Sequence, residues 1–91
     1  MYGTIGQIRA TPGNREALIA ILRENATGMA GCRLYHIARD LGDADAIWIT
    51  ESWDSAEDHK ASLQLPSVQD AIGRARPLIA GFGTRAETEP V

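Results

Sequence analysis

Cys32 is the only cysteine in 91 residues. A lone thiol can form neither an internal disulfide nor a thiolate metal cage, and it fits a reducing compartment. Basic residues are also few, with nine Lys and Arg against twelve Asp and Glu, for a net charge of −3. Nucleic acid is not an expected partner, because a phosphate backbone needs a clustered basic surface. No stretch approaches the ~20 apolar residues of a membrane helix, and the opening Met1-Tyr2-Gly3-Thr4 has no basic segment leading into an apolar one. The chain therefore reads as cytoplasmic, with no membrane partner. Also missing are G-x-S-x-G, a P-loop, a G-x-G-x-x-G fingerprint and any Cys/His pair at catalytic spacing. With only His36 and His59 available, a zinc site lacks ligands, and no metal is expected.

What is present is one domain, 1–91, with a core over 2–85 and a short tail over 86–91. A chain this short buries only about 60–65% of its unfolded surface, so its own core is thin. Residues 2–10 read as a strand ended by Pro12-Gly13, with Ile5 and Ile8 on opposite faces. Leu18, Ile21, Leu22, Asn25/Ala26 and Met29 recur at three and four, predicting a helix over about 14–28 closed by Gly28 and Gly31. Residues 32–40 alternate, with Cys32, Leu34, His36 and Ala38 on one face and Arg33, Tyr35, Ile37 and Arg39 on the other. The turn Asp40-Leu41-Gly42-Asp43-Ala44-Asp45 leads into a strand over Ala46–Trp53, which makes a hairpin. The three aspartates superficially suggest a calcium loop, but no bidentate Glu follows at the right distance, and a solvated turn is the better reading. Ser55-x-x-Asp58 resembles a capping box and opens a helix to about Gln64. Pro66 interrupts it, a second helical piece carries Val68, Ala71, Ile72 and Ala75, and a last strand over 78–85 follows Pro77. The order β-α-β-β-α-β is the split βαβ, or ferredoxin-like, α+β plan with an antiparallel sheet.

The strand over Ala46–Trp53 places Ile47, Ile49, Glu51 and Trp53 on one face and Trp48 on the other. Helices in this plan cover one face only, so large apolar groups on both faces predict a homodimer whose sheets cover each other. The residues able to carry chemistry are Tyr35, His36, Trp53 and His59. His36 reads either as a core histidine satisfied by a backbone carbonyl or as a general base. Trp53 reads first as packing and His59 as a boundary residue. Glu51, if buried, needs a partner such as Arg33, Arg39 or Arg85.

The stretches TIGQIRATPGNREAL, GCRLYHIARD, IWITESWDSAEDHKASLQLPSV and RPLIAGF resemble, in order, the antibiotic biosynthesis monooxygenase domain. Its mark is a strand followed by Pro-Gly and a helix, Gly-Cys-x-x-Tyr, and a Glu-x-Trp strand end running into a Ser-capped helix. The likeness spans residues 1–83. It implies a dimeric ferredoxin-like α+β barrel with a pocket between sheet and helices in each subunit. It also implies oxidation of a phenol or quinol by O₂ with no cofactor, since an electron-rich phenolate can itself reduce O₂ once bound, deprotonated and desolvated. By this resemblance His36 is the catalytic base, while Tyr35, Trp53, His59 (where relatives hold Tyr) and Arg74 contact a small aromatic substrate. Two departures stand out. Ser62 and Ser67 occupy positions where many members hold histidine. Haem degradation is not expected, because Gly6 replaces an Asn and residues 66–76 hold no histidine. Two rival functions fit the same fold: a non-catalytic, small-molecule-binding or stress-associated dimer, and an isomerase or cyclase.

Overall fold

The computed structural model describes residues 1–91. Four strands, β1 (Tyr2–Ala10), β2 (Cys32–Arg39), β3 (Ala46–Trp53) and β4 (Ile79–Thr88), make one sheet in the order β2-β3-β1-β4. Every neighbouring pair is antiparallel. Helices α1 (Arg15–Arg23), α2 (Ala56–Ser62) and α3 (Pro66–Ala75) complete the chain, with a 3-10 turn at Arg76–Leu78 joining α3 to β4. This is the ferredoxin-like α+β arrangement expected from the order of elements.

Local chemistry accounts for the joints. Gly13 takes φ 80° after Pro12, a conformation that an L side chain rarely adopts, and so turns β1 into α1. The Ser55 hydroxyl accepts from the Asp58 N–H at 3.1 Å, so the capping residue read from sequence does start α2. The three aspartates of the β2–β3 turn are spent on backbone N–H groups. Asp40 accepts from Gly42 and Asp43, Asp43 from Asp45, and Asp45 from Gly13. They serve as turn-formers, and no group of three acidic, His or Cys side chains is placed to hold a metal.

Two boundaries differ from the sequence reading. Helix α1 stops at Arg23 rather than near residue 28. Asn25, Thr27 and Gly28 are weak helix formers, and the Asn25 amide instead reaches across to the Ser67 carbonyl at 3.3 Å. At the other end β4 runs to Thr88, so Ala86, Glu87 and Thr88 are paired with β1 and do not form a free tail.

Burial is concentrated on the central strand β3 and on what α1 and α3 lay over it. Leu18, Ile47, Ala46 and Trp53 are fully enclosed. The core cluster of Ala10, Leu18, Ile19, Ile47, Ile49 and Ala75 fills the Ile47 end of the layer between sheet and helices. The Trp53 end is left hollow. On the opposite sheet face Ile5 is 40% and Leu34 47% exposed, and the Trp48 indole N–H donates to Asp40 at 2.8 Å. That hydrogen bond is the first cause holding the Asp40 carboxyl below its ordinary range.

Candidate active site

The hollow is a cavity of about 660 Å³. Its walls are mostly apolar: Ile8 and Ile49 from the sheet, Ile21 and Leu22 from α1, Val68 and Ile72 from α3, and Met29 from the loop between α1 and β2. The polar groups converge at one end. Alternation sends Ile47, Ile49, Glu51 and Trp53 to the helix side of β3, and antiparallel pairing sets Tyr35 beside Glu51 and Thr4 on its other flank. Helix α2 leaves Trp53 within three residues and brings His59 and Ser62 over the same spot.

Glu51 is the hub. One carboxylate oxygen accepts from the Trp53 indole N–H at 3.1 Å and the other from the Thr4 hydroxyl at 3.2 Å. The His59 Nε2 lies 3.8 Å from the same oxygen that Trp53 holds, and both side chains keep only about a sixth of their surface (17% and 16%) in contact with solvent. The His59 ring is wedged between two aromatics. Its centroid is 5.5 Å from Trp53 in an edge-on contact and 5.5 Å from Tyr2 in a tilted one. Tyr2 is itself anchored, donating to Glu87 at 2.7 Å. Ser62 donates to the His59 carbonyl at 2.6 Å and contributes a small wall where a larger side chain would intrude. The Tyr35 hydroxyl makes no hydrogen bond within the chain, and burial first, then the Glu51 charge, pushes its ionisation well above the usual range. It is a neutral donor presented to the cavity.

This arrangement can bind a planar apolar molecule, receive a proton at one end, and exclude water from the rest. At that end the His59 imidazole and the Glu51 carboxylate face each other at 3.8 Å.

The residues singled out from sequence divide. Tyr35, Trp53 and His59 do meet at the cavity. His36 does not. It pairs with Thr50 on the other face of the sheet and is exposed, because alternation along β2 turns it away whenever Tyr35 faces inward. It can be neither the core histidine nor the base of this cavity. Arg74 is also outside: it donates to Glu24 from two nitrogens and to Asp70 along α3, and these carboxylates hold its charge on the surface. The arginine that lines the cavity is Arg76, two residues on. None of the arginines offered as partners for Glu51 serves. Arg33 pairs with Asp54 and Arg39 with Glu16, and Arg85 is absent from the ion pairs. The role of Glu51 as hub, and Thr4 beneath it, were missed. The available signal was the i, i+2 spacing of Glu51 and Trp53 on one strand face, with an indole N–H that needs an acceptor when buried. Cys32 is half-buried, and burial pushes its thiol up, away from the thiolate form that a nucleophile needs.

The sequence profile of the antibiotic biosynthesis monooxygenases matches residues 1–74. Among solved structures, a protein of Chloroflexus aurantiacus J-10-fl, named provisionally as an antibiotic biosynthesis monooxygenase, is 64% identical. It superposes with a TM-score of 0.96 over 99% of this chain and 92% of its own. A Deinococcus radiodurans protein of the same provisional name is 26% identical with a TM-score of 0.84, covering 100% of this chain and 93% of that one. A third such protein, from Nitrosomonas europaea, is 18% identical with a TM-score of 0.80 over 97% and 94% of the two chains, and shares the fold. No curated protein matches.

Proposed function

Because the chain belongs to the antibiotic biosynthesis monooxygenase family, we propose that it oxidises a phenol- or quinol-type aromatic with O₂ and without a cofactor. The observation that carries the reading is the convergence of Glu51, His59, Trp53 and Tyr35 at one end of an otherwise apolar cavity. In this reading the aromatic ring lies between Ile8, Ile49 and the α3 side chains, with Trp53 and Tyr35 as walls. His59 takes the hydroxyl proton, and Glu51 stabilises the resulting imidazolium. The substrate anion is then held where little water can solvate it, and it supplies the electrons itself. One atom of O₂ enters the ring carbon as a carbonyl oxygen, and the other leaves as water with the two hydrogens lost from the substrate. Four electrons leave the substrate and four reach O₂. Tyr35, kept protonated by its surroundings, is placed to donate to the carbonyl oxygen as charge develops there.

The partner is a second copy of the chain. The support for this is the sheet face that carries Ile5, Leu34 and Trp48, which no helix covers and which leaves Ile5 and Leu34 exposed.

The test is O₂ uptake by the purified protein with a panel of hydroquinones and anthrones. Uptake well above background that falls by about a hundredfold or more in His59→Ala supports the reading. No uptake above background, or equal uptake by that variant, overturns it. Turnover that persists without O₂ would identify the isomerase instead.

A further inference from the structure

The cavity does not end at Glu51. A second hollow of about 220 Å³ adjoins it, and Ile8, Ile49, Glu51 and Phe82 are walls of both. Its other walls change character: Thr4, Gly6, Gln7, Gly83 and Arg85 replace the aliphatic side chains of the main chamber. It lies along the β1–β4 pair, where the register shifts between Gly6 and Ile8. Gly6 pairs with Arg85, and with no side chain at position 6 the first atom that a Cβ would meet is the Arg85 Cγ, at 3.8 Å. Missing bulk at Gly6 therefore leaves open space beneath the arginine stem.

Arg85 is exposed and joins no ion pair. The chain's ion pairs engage Arg9, Arg33, Arg39 and Arg74, and Arg15 is satisfied by the carbonyls of Asp40, Asp43 and Ala46. Arg85 enters none of these. It lies near the Tyr2 hydroxyl, whose proton goes to Glu87. A guanidinium beside a small polar hollow, with no carboxylate paired to it, is suited to a planar oxyanion, which it can hold through two parallel hydrogen bonds.

We propose that the ligand of this cavity is a hydroxyaryl acid: an aromatic ring in the main chamber, its hydroxyl at the Glu51–His59 junction, and a carboxylate on a neighbouring carbon bound by Arg85 in the annex. The proposal rests on the reading of the main chamber as an aromatic site. The two ends make opposite demands. Ionised Glu51 only accepts hydrogen bonds, so it takes the hydroxyl as donor; Arg85 only donates, so it takes the carboxylate as acceptor. The reverse orientation would set two carboxylates face to face, so the pair of residues also fixes which way the ring points. Without Arg85, Glu51 repels such an acid at the annex end; the other guanidinium, that of Arg76, lines the main chamber and not the annex.

Titration calorimetry with 1-hydroxy-2-naphthoate and 1-naphthol, under nitrogen so that no turnover intrudes, separates the outcomes. The native protein should bind the acid about tenfold more tightly than the neutral phenol, as expected of a charge-assisted bidentate pair. Arg85→Gln should leave 1-naphthol binding unchanged and reverse the preference, while Arg85→Lys should retain part of it, since the charge stays but the bidentate geometry is lost. Equal affinities in the native protein, or an equal loss for both ligands in Arg85→Gln, overturn the acid subsite and leave the aromatic chamber standing. Failure of both ligands to bind overturns both readings.

Discussion

Glu51 is where structure and chemistry can be pulled apart by two substitutions. In Glu51→Ala the Trp53 indole N–H and the Thr4 hydroxyl lose the acceptor they now share. Trp53 is fully enclosed and Thr4 is 4% exposed, so neither finds solvent without rearrangement. An orphaned buried donor costs about 1–3 kcal/mol, which puts the pair at about 2–6 kcal/mol. Two effects lower that figure. Removing a largely buried carboxylate relieves its own desolvation, and the adjoining cavity of about 660 Å³ can admit a water to the vacated position. A net loss near 2 kcal/mol remains, equivalent to a fall in Tm of about 8–16 °C for a chain of this length. Glu51→Gln keeps an amide oxygen for Trp53 and an amide N–H₂ that the Thr4 hydroxyl can accept from, so it should cost less than about 0.5 kcal/mol. It nevertheless removes the negative charge 3.8 Å from His59 and should lower kcat/KM by about a hundredfold. Urea and thermal unfolding at one fixed protein concentration, so that association contributes equally, give the stabilities; O₂ uptake gives the rate. If Glu51→Ala proves as stable as Glu51→Gln to within about 0.5 kcal/mol, the carboxylate is not the acceptor that Trp53 and Thr4 depend on, and the hub described above is wrong.

Three further expectations follow from the same geometry. His36→Ala, on the exposed face away from the cavity, should leave O₂ uptake and 1-naphthol affinity within about twofold of the native protein; a loss of tenfold or more at unchanged oligomeric state would refute the assignment of faces. Gly31→Ala should cost about 1–3 kcal/mol in urea unfolding, because φ is 78° there and the new Cβ would meet the Asp58 carboxylate at the start of α2. Gly13→Ala, at φ 80° but with nothing within 4 Å of its Cβ, isolates the backbone part of that cost and should lose less. For Tyr35 the folded state holds the phenol proton at a pH where the unfolded chain has already released it. Its contribution is thus fully present below about pH 10 and is lost as the pH rises further. Urea midpoints measured upward from about pH 9 should fall more steeply for the native protein than for Tyr35→Phe; parallel curves would show that the phenol is not held neutral by its surroundings.

How much of this was legible in the sequence depends on the range of the interaction. Elements set by local chemistry could be read directly: the Pro12-Gly13 turn, the Ser55 cap, and the strand over Ala46–Trp53, whose ends agree with the structure. The overlong reading of α1 came from treating Met29 as a helix position, whereas it reaches the same cavity from a loop. Site residues were legible to the extent that face parity was. Alternation had already put His36 and Tyr35 on opposite faces of one strand, and Ile37 and Arg39 with Tyr35. What periodicity could not say is which face the helices cover, since Leu34 and Ala38 made the His36 face look equally apolar. The preference for His36 followed the neighbouring-pair resemblance and not the faces. Arg74 failed for a related reason, because a helix position is accurate to a turn and the decisive contact is with Glu24, fifty residues away on another element.

The same limit explains Ser62 and Ser67, which read as losses when seen as letters in a motif. In space they are not equivalent. Ser67 is an exposed residue of α3 that offers its carbonyl to Asn25, while Ser62 is buried on α2, three residues after His59 and on the same side of the helix. Only position 62 faces the chamber, so only there does an imidazole give way to a hydroxyl. One turn earlier His59 supplies an imidazole that no larger residue at 62 crowds, and it stands beside Glu51 and against Trp53. The imidazole of this chamber therefore stands at position 59, nearer the strand end. Ser62 lines the same chamber and ties its hydroxyl to the His59 carbonyl.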